Sequence, residues 1–176
     1  MKRISIVPER VFALWRSPIG WIGLVAGQEG LATVVSHPSE EEVRGRISIE
    51  YPQAAASGEN DVLAVARLQL EEYFRGERHD FDLPLDLSGL PPFSAAVLRR
   101  LVRVPYGTTV TYGELAAAAG SPGAARAVGR AMAINPLPLV IPCHRVLGTG
   151  GKMTGYSGGE GIATKEWLLD HERRQV

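Results

Sequence analysis

The sequence contains a single cysteine, and the residues around it have the clearest capacity for chemistry. Cys143 follows a short apolar run and directly precedes His144, in the order Pro142-Cys-His-Arg-Val146. A free thiol has a pKa of about 8.5, so a base or a cation must lie nearby to supply the nucleophilic thiolate near neutral pH. The pair therefore favours a nucleophilic thiol activated by histidine, although a lone cysteine beside an apolar strand is also typical of an ordinary buried side chain.

Adjacency in sequence does not by itself bring the thiol and the imidazole into contact. On an extended segment Cys143 and His144 point to opposite faces, so a bridging water is the expected link between them. A third group should orient the imidazole. Glu166 and Glu172 of the last predicted helix, Thr164–Glu172, are the candidates, and the residues alone leave both open.

The segment before the cysteine is predicted to end one helix and to lead into the residue that carries the thiol. Asn135-Pro-Leu-Pro138 is predicted to end the preceding helix, because proline interrupts helical hydrogen bonding. Leu139–Ile141 is then predicted to form a short buried strand that leads directly into Cys143.

Two short helices are predicted upstream of that break. Thr111 and Glu114 have the spacing of a capping box, so a helix should begin there and run to about Ala119. Gly120 suits a left-handed C-terminal position, and Ser121-Pro122 predicts the N-cap and first turn of a second helix. The pair resembles a helix-turn-helix, although a plain helical hairpin is the commoner structure.

The second helix of the pair is predicted over Gly123–Met132 and has mostly small side chains. Arg126 and Arg130 lie one turn apart on it, where two like charges repel slightly. A slim, basic helix suits the groove of a nucleic acid. Tight packing of the alanines against another helix, with solvated arginines, is the alternative that these residues leave open.

The charges are distributed unequally, although the whole chain is formally neutral. Residues 1–90 contain nine Lys and Arg against fourteen Asp and Glu, a net charge of −5, whereas residues 91–176 contain ten against five, a net charge of +5. A basic half can be steered towards phosphate while the acidic half faces away. A chance excess of solvated charges explains the same numbers equally well.

The first half is predicted to be an α/β unit. Three apolar runs separated by turn residues predict a strand meander, and these runs are followed by an acidic helix around Ser39–Glu42, a loop over residues 51–60, and a helix from Asp61 that stops near Gly76. The strands are predicted over Val11–Arg16, Trp21–Ala26 and Leu31–Ser36.

An extended connector, Phe81–Leu87, separates this unit from the second half. We therefore expect two domains, residues 1–88 and residues 89–176. The second should open with a helix over Phe93–Val104, which carries arginines on its polar side.

The composition also excludes several classes of protein. The longest uncharged run, residues 131–143, contains three prolines and is too short to span a bilayer. A single cysteine cannot form an internal disulfide, which fits a reducing compartment. The apolar stretch after Met1-Lys-Arg3 is interrupted by Pro8-Glu-Arg10, so no signal-peptide core is expected. We expect a cytoplasmic protein.

Taken together, the motifs resemble a known family. Pro142-Cys-His-Arg-Val146, with Asn135-Pro136 before it and both Tyr156-Ser-Gly-Gly159 and Lys165-Glu-Trp-Leu-Leu169 after it, is similar to the active-site region of the O6-alkylguanine-DNA alkyltransferases. The similarity covers residues 104–172, including the helix pair, and extends to the Ser17-Pro-Ile-Gly20 turn.

This resemblance implies a fold and an activity. The implied fold is an N-terminal ribonuclease-H-like α/β domain followed by a mainly helical, winged-helix-type domain whose helix-turn-helix enters the minor groove of double-stranded DNA. The implied activity is single-turnover transfer of an alkyl group from flipped-out O6-alkylguanine, or O4-alkylthymine, to Cys143. No cofactor is expected. The protein is expected to act as a monomer, with cooperative assembly on DNA left open.

The resemblance also implies roles for individual residues. Cys143 corresponds to the nucleophile, His144 to its water-mediated base and Glu172 to the carboxylate that orients the histidine. Asn135 corresponds to a hinge residue. The remaining implied roles are contacts with DNA. Arg126 fills the gap left by the flipped nucleotide, and Tyr112 turns a phosphate and protonates the base. The flipped base is bound by the backbones of Cys143 and Val146 and the side chain of Ser157, and the walls of its pocket are Met132 and Tyr156.

Departures from the family pattern limit the transfer. Some relatives bind a structural zinc through N-terminal cysteines, but this half has none, so no metal is expected. Two other functions stay open at this point. One is a module that binds lesions without chemistry, and the other is a hydrolase that uses Cys143, His144 and Glu172.

Overall fold

A computed structural model describes residues 10–57 and 60–176 of the chain. Its first half contains a four-stranded sheet in the order β3-β2-β1-β4, in which β4 pairs parallel to β1 and the other neighbours are antiparallel. The elements of this half are β1 (Val11–Ser17), β2 (Gly20–Gly27), β3 (Gly30–His37), α1 (Glu40–Glu50), β4 (Ala55–Ala56) and α2 (Asp61–Phe74).

The sheet has a helix on each face because its strands alternate two sets of apolar side chains. Ile22 and Leu24 of β2 face α2 and belong to the main core, whereas Val25 packs with Val43 and Ile47 of α1. Gly23 allows α1 to approach closely, since a Cβ atom there would lie 2.6 Å from both Val43 and Ile47 side chains. The predicted meander and its α/β class are confirmed.

The second half is mainly helical. Helices α3, α4 and α5 contact one another, and two short strands, β5 and β6, pair in parallel. The elements are α3 (Pro92–Leu101), β5 (Val110–Thr111), α4 (Tyr112–Ala118), α5 (Ala125–Ala133), a 3-10 turn (Cys143–Arg145), β6 (Val146–Leu147), a second 3-10 turn (Thr149–Gly151) and α6 (Ile162–Arg174).

The two halves share a continuous apolar core. The connector runs beside β3, where Leu31 donates its backbone N–H to Pro84 at 2.8 Å and accepts from Asp86 at 2.8 Å. The segment before the cysteine is held by the same strand, since Val34 donates to the Pro136 carbonyl at 2.8 Å. The sheet of the first half therefore supports the backbone that carries Cys143.

The structure confirms the local signals for the helix pair, with one exception. The Thr111 hydroxyl accepts from the Glu114 N–H while the Glu114 carboxylate accepts from the Thr111 N–H, which completes the capping box. Gly120 has φ +78°, the left-handed conformation expected there. Ser121 is not an N-cap, because residues 121–124 form a turn and α5 begins only at Ala125, with Ala124 as its uncapped start.

Two other predictions near the thiol are wrong. Leu139–Ile141 is a turn and not a strand, with Leu139 at φ +75°, because Asn135 and two prolines close the backbone on itself. Cys143–Arg145 is a 3-10 turn and not an extended segment.

Residues 51–60 were predicted to be a loop, yet they include β4. Two positions of that loop, residues 58 and 59, lie outside the described residues, as does the stretch 1–9 on which the signal-peptide prediction rests. No helix in the described ranges is long and apolar enough to cross a membrane.

Candidate active site

Cys143 lies at the start of the 3-10 turn and is 6% exposed. Its side chain opens onto a cavity of about 340 Å³ between α4, α5 and the loop before α6. The other residues that line this cavity are Tyr112, Gly129, Met132, Ala133, Gly155, Tyr156 and Ser157. The thiol is thus withdrawn from the surface, and a small planar molecule could reach it only by entering the cavity.

Asn135 shapes the turn that positions the thiol. Its Nδ2 donates to the Ile141 carbonyl at 3.0 Å, and its Oδ1 accepts from the Leu137 N–H at 3.0 Å. These two bonds satisfy buried backbone groups that proline and the broken helix leave unpaired. Burial raises the pKa of the Cys143 thiol, while the Asn135 side chain and the positive charge of Lys165 act in the opposite direction. The thiol is therefore protonated at neutral pH, and its reaction requires a base.

His144 is fully buried and is bonded to one of the two candidate carboxylates. Its Nε2 lies 2.6 Å from Oε1 of Glu172, whereas its Nδ1 has no hydrogen-bond partner among the described residues. Burial lowers the pKa of His144, although the adjacent carboxylate opposes this effect. A neutral imidazole that donates from Nε2 to Glu172 has Nδ1 free to accept a proton. Glu166, the other candidate, is exposed on the outer face of α6.

Glu172 is the centre of a buried hydrogen-bond network. Besides His144, its carboxylate accepts from the Tyr73 hydroxyl at 2.8 Å, from the Gly107 N–H at 3.0 Å and from the Arg145 guanidinium at 3.0 Å. Burial would raise the pKa of Glu172, but the hydrogen bonds and charges of His144 and Arg145 outweigh it and lower the pKa to about 2. The group is therefore a carboxylate at neutral pH.

Two buried cations at this site were given no role by the sequence reasoning. Arg145 also donates to the Val104 carbonyl at 2.6 Å and lies over the Tyr106 ring. Lys165 is fully buried and donates from Nζ to the Val146 carbonyl at 2.7 Å and to the Thr154 carbonyl at 3.2 Å. Both residues lie within the quoted motifs, but nothing in their spacing shows that they are buried.

Tyr112, the first residue of α4, lines the cavity opposite the thiol. Its hydroxyl shares a hydrogen bond of 2.7 Å with Thr154, another contact that the sequence did not indicate. Met132 and Tyr156 also lie on the wall, and the Tyr156 hydroxyl is buried without a partner among the described residues. Ser157 is exposed at the rim. Val146 is buried but does not belong to the lining; its carbonyl is occupied by Lys165.

The outer face of α5 is basic. Arg126 and Arg130 are exposed and form no ion pair with any described residue, while Val128, Ala131 and Met132 face inward. Helix α3 shows the same feature, with exposed and unpaired arginines at positions 99 and 100 and another at 103 just beyond its end. In the first half, by contrast, ion pairs with carboxylates engage most of the described arginines: Arg10, Arg44, Arg67, Arg75 and Arg78.

The described ranges contain no group of three or more His, Cys, Asp or Glu side chains arranged to hold a metal ion.

Fold and site together define a two-domain protein with a buried thiol, a buried histidine–glutamate pair and a basic helix beside the thiol's cavity. The model of the ribonuclease-like domain of 6-O-methylguanine DNA methyltransferase matches residues 11–87, and the model of its DNA-binding domain matches residues 92–174. The chain belongs to the 6-O-methylguanine DNA methyltransferase family.

Individual relatives agree with this assignment. The chain is 42% identical to a methylated-DNA–protein-cysteine methyltransferase of Methanosarcina acetivorans over 92% of its own length and 97% of the relative's. It is 41% identical to the constitutive methyltransferase of that name from Bacillus subtilis, over 89% and 92% of the two chains.

Solved structures show the same relationship. The crystal structure of Mycobacterium tuberculosis O6-methylguanine methyltransferase matches with a TM-score of 0.78 at 37% identity, over 95% of this chain and 94% of the other. A crystal structure of the Mycobacterium tuberculosis protein in complex with DNA matches with a TM-score of 0.77 at 36% identity, over 94% of each chain.

Proposed function

We propose that this protein repairs alkylated DNA by moving an alkyl group from O6-alkylguanine to Sγ of Cys143. The observation that carries the proposal is the position of the thiol, which lies on a cavity wall and immediately precedes a buried His144–Glu172 pair, in a chain of the methyltransferase family. O4-alkylthymine is proposed as a second substrate, because its alkyl group also sits on an exocyclic oxygen next to a ring nitrogen.

The proposed reaction breaks the bond between the alkyl carbon and the base oxygen and forms a bond from that carbon to Sγ. The thiol proton passes to His144, whose Nδ1 has no partner among the described side chains; a water molecule is the proposed carrier. Tyr112 is proposed to donate a proton to the departing base, which makes the base a better leaving group. Glu172 holds the imidazole in place and stabilises its protonated form.

The protein is proposed to act once. A thioether has no good leaving group, so water does not release the alkyl group from Sγ. The chain has no second cysteine that could take over the alkyl group from Sγ. Product should therefore never exceed protein.

The substrate base must leave the DNA stack, since a buried thiol cannot reach a stacked base. We propose that Arg126 of α5 fills the space left behind and that α5 lies in the minor groove, where its small side chains allow close approach. The unpaired arginines on this face support binding to phosphates. Met132, Tyr156, Ser157 and the backbones of Cys143 and Val146 are proposed to contact the flipped base.

Several broader features complete the proposal. The protein acts on double-stranded DNA as a monomer in the cytoplasm, with cooperative assembly on DNA as an alternative. The domains divide at residues 88 and 89, in the gap between the two family matches. Asn135 acts as the hinge between the DNA-binding helix and the thiol, in keeping with its two bonds to the turn.

Mass spectrometry after mixing with duplex DNA that contains O6-methylguanine tests the proposal. We expect the Cys143 peptide to gain the mass of one methylene group, with at most one product per protein. Cys143→Ala is the matched control and should bind the lesion without gaining mass. An unmodified Cys143 peptide would favour a module that only binds lesions, and continued turnover on an ester or amide would favour a cysteine hydrolase.

A further inference from the structure

Tyr73, a residue of the ribonuclease-like half, contacts Glu172 in the candidate active site of the other half. It lies on α2, is fully buried, and donates from its hydroxyl to Oε1 of Glu172 at 2.8 Å. The same oxygen lies 2.6 Å from Nε2 of His144. Donors from both halves of the protein therefore share one carboxylate oxygen, because Arg145 also donates to Oε1 at 3.0 Å.

We infer that Tyr73 is a positioning residue for the His144–Glu172 pair, so that the N-terminal domain helps to set the basicity of the group that accepts the thiol proton. The inference rests on the proposed function, which supplies the reaction in which that basicity is used. It assigns the N-terminal domain a part in the site beyond support of the fold.

The Tyr73 hydroxyl is held as a donor and has little freedom to move. Its ring packs against Phe81 and Tyr106, with centroids 5.7 Å and 5.9 Å away. Its backbone carbonyl is bonded to Nε2 of His171 at 2.9 Å. Burial, together with the nearby negative charge of Glu172, raises the pKa of Tyr73 well above its ordinary value, so the phenol keeps its proton. The phenol therefore remains available as a donor to Oε1 at neutral pH.

Competition among the donors to Oε1, namely Tyr73, His144 and Arg145, helps to determine how strongly Glu172 stabilises a proton on the imidazole. A hydrogen bond from Tyr73 stabilises the carboxylate and weakens the hydrogen bond that Oε1 accepts from the His144 imidazole. Without that bond the carboxylate would stabilise the imidazolium more strongly, and His144 would lose its proton only at higher pH. The other charged or titratable groups that face the pair are Arg145 and Lys165 as cations and Tyr106 and Cys143 as weak acids.

The test compares Tyr73→Phe with Tyr106→Phe. Tyr106 is a matched control, because its ring packs on Tyr73 while its own hydroxyl is buried with no hydrogen-bond partner in the described part of the chain. Single-turnover transfer from O6-methylguanine DNA is measured between about pH 5 and pH 9, with the folded fraction checked by circular dichroism. The titration of the His144 imidazole is followed by NMR in the unreacted proteins.

For Tyr73→Phe we expect the acid limb of the rate profile, and the His144 titration, to move up by about one pH unit. Transfer would then be roughly tenfold slower on the acid limb and unchanged on the plateau. Tyr106→Phe should match the natural protein. A Tyr73→Phe profile that superimposes on the natural one, or an equal shift in Tyr106→Phe, would overturn the inference.

A second substitution covers the case in which Tyr73→Phe does not fold. Site-specific 3-fluorotyrosine at position 73 keeps the ring and provides a more acidic, stronger donor, so the acid limb should move to lower pH; no shift, or a shift to higher pH, would count against the inference. If the natural protein leaves Cys143 unmodified, the proposed function fails, while the NMR titration still decides whether Tyr73 controls His144.

Discussion

Replacing Glu172 with glutamine would remove one negative charge from a buried network while leaving its shape nearly unchanged. An amide presents one oxygen and one NH₂ group, and the NH₂ group cannot accept a hydrogen bond. Placed at Oε2 it would face the Gly107 N–H and the Arg145 guanidinium, and placed at Oε1 it would face the Tyr73 hydroxyl and His144. The Arg145 guanidinium, itself 3% exposed, would lose its carboxylate partner. Breaking a buried pair by removing one partner costs about 3–5 kcal/mol, and we expect Glu172→Gln to be less stable than the natural protein by about this amount at neutral pH.

The pKa of Glu172 gives this prediction a distinctive dependence on pH. The folded value of about 2 lies below the ordinary value of 4.5, so the carboxylate stabilises the fold fully above pH 4.5 and progressively less as the pH falls towards 2. The whole difference corresponds to about 3 kcal/mol at about 1.4 kcal/mol per pKa unit. By about pH 3.5 the natural protein should have lost about 1.4 kcal/mol that the glutamine variant cannot lose.

Urea unfolding followed by tryptophan fluorescence measures this difference at about pH 7, pH 5 and pH 3.5. Glu166→Gln is the matched control, because Glu166 lies on the same helix but is exposed. Its stability should stay within about 0.5 kcal/mol of the natural protein at each pH. If the free-energy gap between the natural protein and Glu172→Gln were the same at pH 7 and pH 3.5, the carboxylate would not have the lowered pKa on which the reasoning rests.

Two further predictions concern the thiol and the DNA-binding face. Lys165→Met removes a positive charge that lowers the pKa of Cys143, so the pH of half-maximal alkylation by iodoacetamide should rise; an unchanged midpoint would contradict that electrostatic role. Arg126→Ala should slow transfer from duplex O6-methylguanine DNA by roughly tenfold or more and affect the free base much less, because only the duplex must be held open. Equal losses on the two substrates would refute the proposed role of Arg126.

The success of the sequence predictions depended on how local each signal is. The capping box of Thr111 and Glu114 and the left-handed Gly120 involve residues a few positions apart, and the structure contains both. The strand meander likewise follows from alternating apolar positions and turn residues. Such features depend on backbone conformations that neighbouring residues largely determine.

Predictions failed where a residue pattern is compatible with more than one local structure. Leu139–Ile141 has the composition of a buried strand, but the Asn135 side chain takes the hydrogen bonds that a strand neighbour would have made, and the backbone turns instead. Ser121-Pro122 has the composition of a helix start, but the turn continues to Ala124 before α5 begins. In both places a residue pattern allows more than one structure, and hydrogen bonds between residues a few positions apart accompany the turn that forms.

The sequence by itself predicted Cys143 as the reactive residue and determined the helix pair beside it, because the motif around Cys143 is contiguous and helix signals are short. Residue types alone left Glu166 and Glu172 open, and the family resemblance favoured Glu172. The tertiary structure shows that Glu172 contacts His144, because the two glutamates lie on different sides of one helix and only one side faces the core. The contribution of Tyr73, 99 residues from Glu172 along the chain, was equally invisible to sequence reasoning. Burial and hydrogen-bond partners set the proton affinity of a side chain, and both are created by the packing of distant segments.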